Sequence, residues 1–317
     1  MQVTPVDPFH AGERAMQARA GMRERLAQVG HRVIREAMPD QHRVFFRQLP
    51  FIVIGSLDDA GQPWASMLAG PPGFIDSPDP RRLSVRARPD AASPLASAMR
   101  PGASLGLLGI EPHTRRRNRA NGSVSMLTDN GFEIDIRQSF GNCPQYIQAR
   151  EAHYVERERE PTAVVRSNSI DMLARDIITR ADTFFITSAH PDAATHIARS
   201  EGVDVSHRGG KPGFVRVDAD RTLTVPDFSG NFFFNTLGNL AINPRAGLLF
   251  ADFASGDLLH VAATAEIVWD GPQVEAFVGA QRLVKFRVHD VLRQKRAMPL
   301  AWSAVQLSPI LAATGSW

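Results

Sequence analysis

The feature of this sequence that most constrains its fold is an internal repeat. The segment "PGFIDSPDPRRLSV", which begins at Pro72, returns 140 residues later as "PGFVRVDADRTLTV", which begins at Pro212. The same register, continued backwards without a gap, brings Ser66 onto Ser206. A chain that carries the same short strands twice is expected to build the same structural unit twice.

Two flanking matches extend the repeat. "GLLG" at Gly106 aligns with "GLLF" at Gly247 after one inserted residue, and "FIVIGS" at Phe51 aligns with "FFITSA" at Phe184. Short β-rich runs, frequent Gly and Pro turns and one interposed helix are typical of a small closed or half-closed barrel. The sequence therefore predicts two such barrels, packed on each other as an intramolecular pseudo-dimer.

The order of helix-rich and strand-rich segments along the chain predicts the domain organisation. Ala, Met, Gln, Arg and Leu dominate the first residues, which favours helix, and the strands begin near residue 50. We expect a helical N-terminal extension at 1–39, a first barrel at 40–160, and a second barrel with a C-terminal tail at 161–317. The predicted fold class is mainly β with helices (α+β), with two tandem split β-barrels.

Composition limits the functional classes. The 317 residues are 43% hydrophobic and 22% charged, as in soluble globular proteins. No apolar run approaches the ~18 residues of a membrane span, and the N-terminus lacks the apolar core of a signal peptide, so we expect a cytoplasmic protein. The single cysteine, Cys143, excludes an internal disulfide. The net charge of +3 is spread along the chain, which favours a small anionic ligand over nucleic acid.

Comparison of the two copies identifies a candidate anion site. Copy 2 reads Ser206, His207, Arg208 and, after two glycines, Lys211, whereas copy 1 has apolar residues and a proline at the positions of these three cations. Glycine permits a close approach of the backbone to a ligand, and arginine binds phosphate in a bidentate manner. We interpret the difference as specialisation of copy 2 for an anion. The alternative is a solvated hairpin.

Two further segments fit an anion. Arg117 and Arg119 share one face of a predicted strand, where like charges repel unless an anion or a carboxylate lies opposite. Phosphate, salt bridges to Glu133 and Asp135, and nucleic acid all remain open for them. "FSGNFFFNTLGNL", from Phe228, marks a strand-to-helix transition, where free N–H groups bind anions, although plain helix capping is the alternative.

Other clusters carry less information. His10 and Glu13 are three residues apart on a predicted helix, but no third metal ligand accompanies them, so we interpret them as a surface pair and predict no metal site.

The order of these features resembles the flavin-nucleotide-binding split-barrel proteins related to pyridoxamine 5'-phosphate oxidase. The resemblance lies in "FIVIGSLDDAGQPWAS", "NTLGNLAINPRAGLLF" and "HVAATAEIV", and it covers roughly residues 40–295. It implies that FMN lies between two barrels, with its phosphate held by cations and hydroxyls of one barrel. The chain departs from the oxidase at "FNTLG", which has Asn235 and Thr236 where the oxidase has cations. We therefore do not transfer the oxidase activity.

The sequence thus predicts an FMN-binding flavoprotein, with the flavin as the redox centre of an oxidoreductase acting on an unidentified small molecule. The alternatives are a non-enzymatic module that binds or senses flavin, deazaflavin or haem, and a nucleic-acid-binding protein. The electron donor, any catalytic residue and further dimerisation of the fused pair are left open. The predicted cofactor contacts are Ser206, His207, Arg208, Lys211, Asn231, Asn235, Thr236, Arg117 and Arg119, with Trp64 and Ser66 beside the ring.

Overall fold

The computed structural model of the chain describes residues 7–157, 162–195, 198–219 and 221–317. Helices begin the chain, as the composition predicts. The ring of His10 accepts the Gly12 N–H and the Glu13 carboxylate accepts the His10 N–H, which together start the first helix. No helix in the described ranges combines the length and the apolar character needed to cross a membrane. The first three helices are α1 (Ala11–Arg19), α2 (Arg23–Val33) and α3 (Asp40–Gln48).

The first unit is an antiparallel sheet of seven strands in the order β2-β1-β5-β6-β7-β4-β3. Its core lies on one face of the sheet, where β1, β5 and β7 contribute alternate apolar side chains and α3 adds Phe45 and Phe46. The elements are β1 (Phe51–Leu57), β2 (Pro63–Ala69), β3 (Ile75–Asp79), β4 (Arg82–Val85), α4 (Pro94–Ala98), β5 (Ser104–Glu111), a 3₁₀ turn (Pro112–Thr114), β6 (Arg116–Thr128) and β7 (Gly131–Gly141).

The second unit follows the same path, in the order β11-β10-β14-β15-β16-β13-β12, with β9 added on β16. A separate pair, β8 and β17, joins the linker to the C-terminal tail. The elements are β8 (Ala152–Tyr154), β9 (Val164–Ser167), α5 (Met172–Arg180), β10 (Thr183–Ala189), β11 (Val203–Gly209), β12 (Arg216–Ala219), β13 (Thr222–Phe228), α6 (Asn235–Ile242), β14 (Arg245–Ala251), β15 (Leu258–Val268), α7 (Pro272–Glu275), β16 (Ala280–Gln294), β17 (Leu300–Trp302) and a 3₁₀ turn (Pro309–Ala313).

Strand pairing tests the repeat residue by residue. Gly106 pairs with Gly55 in the first sheet and Gly247 pairs with Thr187 in the second, so the predicted match of the two glycines is confirmed. β2 and β11 are also 140 residues apart along their whole length.

The predicted match of Phe51 with Phe184 is wrong by one residue. Phe51 pairs with Ala69, and its counterpart in the second sheet is Thr183, which pairs with Gly209. Every residue of β10 is buried, so this strand lacks the apolar–polar alternation that would have fixed its register in the sequence.

The two sheets pack on each other where these glycines lie. A Cβ atom on Gly247 would stand 2.2 Å from the Pro63 carbonyl oxygen, and one on Gly106 would stand 2.8 Å from that of Val203. β14 thus rests on β2, and β5 rests on β11, in two equivalent contacts. Between them lies a shared apolar core that both units supply, including Val53. The predicted fold class, two tandem split barrels in a pseudo-dimer, is confirmed.

We expect Gly247→Ala to destabilise the chain by roughly 1–3 kcal/mol, because the new methyl group would push two backbones apart. The matched control is Gly202→Ala, since a Cβ on Gly202 meets nothing within 4 Å and its φ is not positive. Urea unfolding of both variants measures the difference. Equal unfolding midpoints would contradict the proposed tight contact.

Candidate functional site

A cavity of about 550 Å³, counting the space open to solvent, lies where β6 of the first unit meets the second unit. β11, β13, β16 and the start of α6 form its other walls. Seven of the predicted cofactor contacts line it: Arg117, Arg119, Ser206, Arg208, Asn231, Asn235 and Thr236.

Four guanidinium groups surround this cavity. Arg208 and Arg282 share one carboxylate, since each has a nitrogen 3.2 Å from an Asp227 oxygen. Arg119 donates to Asp204 at 2.7 Å. The fourth is Arg117, whose side chain donates to two backbone carbonyl oxygens.

Glu133 and Asp135, the carboxylates that were an alternative for the arginines of β6, instead lie next to Arg82, 3.6 and 3.7 Å away. Among the described residues, Asp204 and Asp227 are the carboxylates that form ion pairs with these four arginines.

The electrostatics of the arginines indicate an unfilled demand for negative charge. Burial, and then the charges of Arg119 and Arg208, lower the pKa of Arg117 to about 9. Burial likewise lowers the pKa values of Arg119 and Arg282. Within the described part of the chain, Arg119 Nε and Arg282 Nη1 are buried and have no hydrogen-bond partner. Buried donors of this kind are rare in proteins, and the positive charge of their side chains would be compensated by an anion in the cavity.

The first turn of α6 also faces the cavity. Its N-cap is Phe234, which has a left-handed φ of 61° and, among the described residues, makes no side-chain capping bond. Phe232, two residues earlier, has a φ of 59°. Non-glycine residues in this region cost of order 1–3 kcal/mol each, and such strain concentrates at functional sites. The first N–H groups of the helix are left for a ligand, as at known anion sites.

The first unit lacks this arrangement at the pseudo-symmetric position. The helix α4 is capped by Ser93, whose hydroxyl accepts the Leu95 N–H. The strand registers match each cavity arginine with a residue that carries no permanent charge. The matches are Leu258 for Arg117, His260 for Arg119 and Leu68 for Arg208, and continuing the register of β7 into the preceding turn places Asn130 at the position of Arg282. The charge cluster is thus a property of one of the two quasi-equivalent clefts.

Four of the predicted contacts lie outside this cavity. His207 points to the opposite face of β11 from Ser206 and Arg208, because successive side chains of a strand alternate. There its ring packs against that of Phe185, and burial, reinforced by Arg117, holds its pKa well below the usual 6.5, so it is neutral rather than cationic. Lys211 follows the end of the strand and donates to the Thr314 carbonyl of the C-terminal tail at 2.6 Å.

Trp64 and Ser66 lie on β2, in the first unit. The indole N–H of Trp64 donates to Asp58 at 2.9 Å, and the buried Ser66 hydroxyl is 3.4 Å from the hydroxyl of Ser93. Neither residue borders the cavity. They occupy the pseudo-symmetric cleft, where they belong to the packing of the first unit.

The sequence analysis missed several cavity residues. Asp227, Phe234 and Arg282 belong to no recognisable motif, and Arg282 reaches the site through the β13–β16 pairing, where it lies opposite Asp227. The repeat was the one signal in the sequence that pointed to them. When the comparison of the copies is continued along β6 and β16, arginines occur at the positions that line this cavity and not at the matching positions of the pseudo-symmetric cleft.

Glu13 was also missed, because His10 and Glu13 were interpreted as a surface pair. Both are buried: α1 lies so close to α6 that a Cβ on Gly12 would stand 2.2 Å from the Gly238 carbonyl oxygen. Glu13 accepts hydrogen bonds from the Asn235 side chain and from the His10 N–H. Its burial raises its pKa to about 8, so at neutral pH it is protonated.

A separate group of possible metal ligands lies after β10. His190, Asp192 and Glu201 bring one ligand atom each within 4.8 Å of one another. Asp192 is exposed, and the His190 Nδ1 already accepts the Asp192 N–H. We assign no metal to this group.

Comparison with known proteins gives structural similarity alone. No protein-family model matches the chain, and no curated protein matches it. Among solved structures it is similar to an FMN-binding protein of Syntrophomonas wolfei, with 12% identity and a TM-score of 0.26 over 38% of this chain and 88% of the other. It is also similar to a Lactobacillus delbrueckii protein assigned provisionally as a pyridoxamine 5'-phosphate oxidase, with 15% identity and a TM-score of 0.31 over 39% and 94%.

A third similar structure is HutZ, the haem storage protein of Vibrio cholerae, with 13% identity and a TM-score of 0.26 over 38% of this chain and 89% of that one. The predicted resemblance to pyridoxamine 5'-phosphate oxidase-like split-barrel proteins is thus found again among solved structures.

The buried carboxyl of Glu13 predicts a dependence of stability on pH. Between pH 4.5 and 8 this carboxyl keeps in the folded chain a proton that it releases in the unfolded chain, so its contribution to stability falls as the pH rises, by about 1.4 kcal/mol per pH unit. The buried histidines His10 and His42, whose pKa values are lowered to about 4, contribute in the opposite direction below pH 6.5. The glutamine side chain of Glu13→Gln cannot ionise, so this variant should lose the contribution of Glu13 to the pH dependence. The amide itself changes the free energy of unfolding by an amount that is the same at every pH.

The measurement is urea unfolding from pH 5 to 9. The matched control is Glu24→Gln, on the exposed face of α2, which should keep the wild-type slope. A Glu13→Gln variant that follows the wild type in parallel would show that this carboxyl is already ionised in the folded chain.

Proposed function

We propose that the arginine-lined cavity binds the phosphate of FMN and that the protein is a flavoprotein. One observation carries the proposal: four arginines and an open helix N-terminus converge in one cleft, while the pseudo-symmetric cleft has lost all of them. A phosphate carries a double negative charge near neutral pH and three acceptor oxygens. It would reduce the repulsion among the four guanidinium groups.

An adjoining pocket offers room for the rest of the cofactor. It shares Arg117, Arg208 and Phe228 with the cavity. Tyr146 stacks on Phe228, with ring centroids 4.9 Å apart and planes at 22°. A flat aromatic face beside an anion site suits a molecule that combines a planar ring with a phosphate.

The chain's own residues would bind and orient the cofactor. The arginines and α6 fix the phosphate end, and the strained segment before α6 sets the shape of the wall. A bound flavin would supply the redox chemistry. We propose an oxidoreductase that acts on a small molecule. A non-enzymatic flavin, deazaflavin or haem carrier is distinguished from it by whether NAD(P)H reduces the bound cofactor with turnover to an acceptor.

We also infer that the two units arose by duplication, with the predicted boundaries at 40–160 and 161–317. The matching strand order and the shared glycine register support this inference.

The purified chain is expected to bind one FMN rather than two. A symmetric pair of barrels would offer two equivalent clefts, but the pseudo-symmetric cleft here has Leu68 and Leu258 in place of arginines. Titration with FMN, followed by the quenching of flavin fluorescence, gives the stoichiometry. Two equivalent sites per chain would contradict the assignment, and a chain that binds no FMN would overturn the proposed function.

Arg208→Ala should weaken FMN binding by about 10- to 100-fold, which corresponds to the loss of charge-assisted hydrogen bonds to phosphate. Riboflavin has no phosphate, so its affinity should change little. The control is Arg287→Ala, because Arg287 is an exposed residue of β16 that does not line the cavity. Equal losses for FMN and riboflavin would place the phosphate elsewhere.

A further inference from the structure

The N-terminal helix α1 supports two walls of the anion cavity, namely α6 and the segment that precedes it. Its backbone touches that of α6 at Gly12 and Gly238. Gln17, fully buried, donates from its side-chain amide to the Phe233 carbonyl at 3.1 Å, inside the strained segment that precedes α6. The first unit has no α1-like helix on α4 within the described residues, so this support is specific to the second unit.

A chain of hydrogen bonds leads from α1 to the cavity arginines. The Asn235 amide nitrogen donates to the Glu13 carboxyl, while its oxygen accepts from Arg119 at 3.0 Å. Arg119 also donates to Asp204. Because both ends of the Asn235 side chain are occupied, we assign it to holding Arg119 in position rather than to direct contact with a ligand.

Charged and titratable groups reach the Glu13 carboxyl from several elements. His10 lies on the same helix, where burial lowers its pKa to about 4, and Arg14 follows on the next turn. Arg119 faces Glu13 from β6 and Asp204 from β11. The His190 ring lies 5.1 Å from that of His10. Arg119 therefore lies beside two carboxyl groups, those of Glu13 and Asp204.

We propose that Glu13 is a positioning residue of the anion site and that the site takes up its anion together with the proton on this carboxyl. The anion site itself rests on the proposed function. A neutral Glu13 leaves Arg119 paired with Asp204 alone and leaves the positive field of the cavity intact. An ionised Glu13 would add a second negative charge beside Arg119, which attracts the guanidinium towards α1 and cancels part of that field.

The linkage is reciprocal. If the anion binds more tightly to the protonated form, its binding must also raise the pKa of Glu13, so the complex takes up a proton near pH 8 to 9. A residue with a purely structural role would produce neither effect.

The test uses the full-length chain with sulfate and FMN as probes. Sulfate is a dianion across pH 6 to 9, so its binding reports the protein's titration alone. We expect wild-type affinity for sulfate to be nearly constant up to about pH 7 and to fall about fivefold by pH 9, which is the effect at that pH of a tenfold coupling to a carboxyl whose pKa is about 8. Glu13→Gln should hold its affinity from pH 6 to 8 and lose at pH 9 only the smaller part that deprotonation of Arg117, whose pKa is about 9, causes in both proteins. Glu24→Gln should follow the wild type.

Affinity is measured by calorimetry, or from the stabilisation of the fold by added sulfate. Calorimetry in buffers of different ionisation enthalpy gives the proton uptake, which should be present in the wild type and absent in Glu13→Gln.

The outcomes separate the two proposals. A flat pH profile for wild-type sulfate and FMN binding, or the same profile in Glu13→Gln, overturns the role of Glu13 and leaves the flavin site standing. Sulfate binding with the predicted linkage but no FMN binding supports Glu13 and overturns the flavin. A chain that binds neither anion overturns both.

Discussion

The close contact of the two sheets at Gly106 and Gly247 is the constraint on which the site depends. At both places a strand of one unit lies against the backbone of the other, with no room for a side chain. Because β6 pairs with β5, seating β5 on β11 also brings Arg117 and Arg119 of the first unit over the strand that carries Arg208. A wider separation would move these arginines away from α6. The arginine-lined cavity is therefore a product of the pseudo-dimer rather than of either barrel alone.

The close contact at a glycine occurs at two equivalent places, but the two clefts beside it differ in chemistry. In one cleft, His260 contacts the Ala65 carbonyl and the Gln294 side chain at 2.8 Å, and a serine caps α4. In the other, the equivalent helix starts without a side-chain cap in the described structure, after two phenylalanines with positive φ. The first arrangement pairs both ring nitrogens of His260 and caps its helix, which favours stability. The second leaves donors and strain in place, as expected where function opposes stability.

The sequence predicted what depends on local pattern and repetition. The strand–turn texture predicted the barrels, and the shared register identified Gly106, Gly247 and the cations of β11. The prediction from sequence put His207 and Arg208 in the same site, although neighbouring side chains of a strand point to opposite faces. The contacts of Arg282 and Glu13 come from tertiary packing between segments far apart in the chain. No spacing rule connects α1 to α6, so the burial of Glu13 was not accessible from sequence.

The ratio of carboxylates to guanidinium groups explains how the cavity persists without collapsing. Asp227 lies between Arg208 and Arg282 and fixes both, which would otherwise repel each other. With one carboxylate per arginine the cavity would be neutral. With no carboxylates the arginine side chains would turn towards solvent. Two carboxylates for four arginines hold the donors in place and leave a net positive field. Such preorganised donors need little rearrangement when an anion enters, and this reduces the free-energy cost of binding.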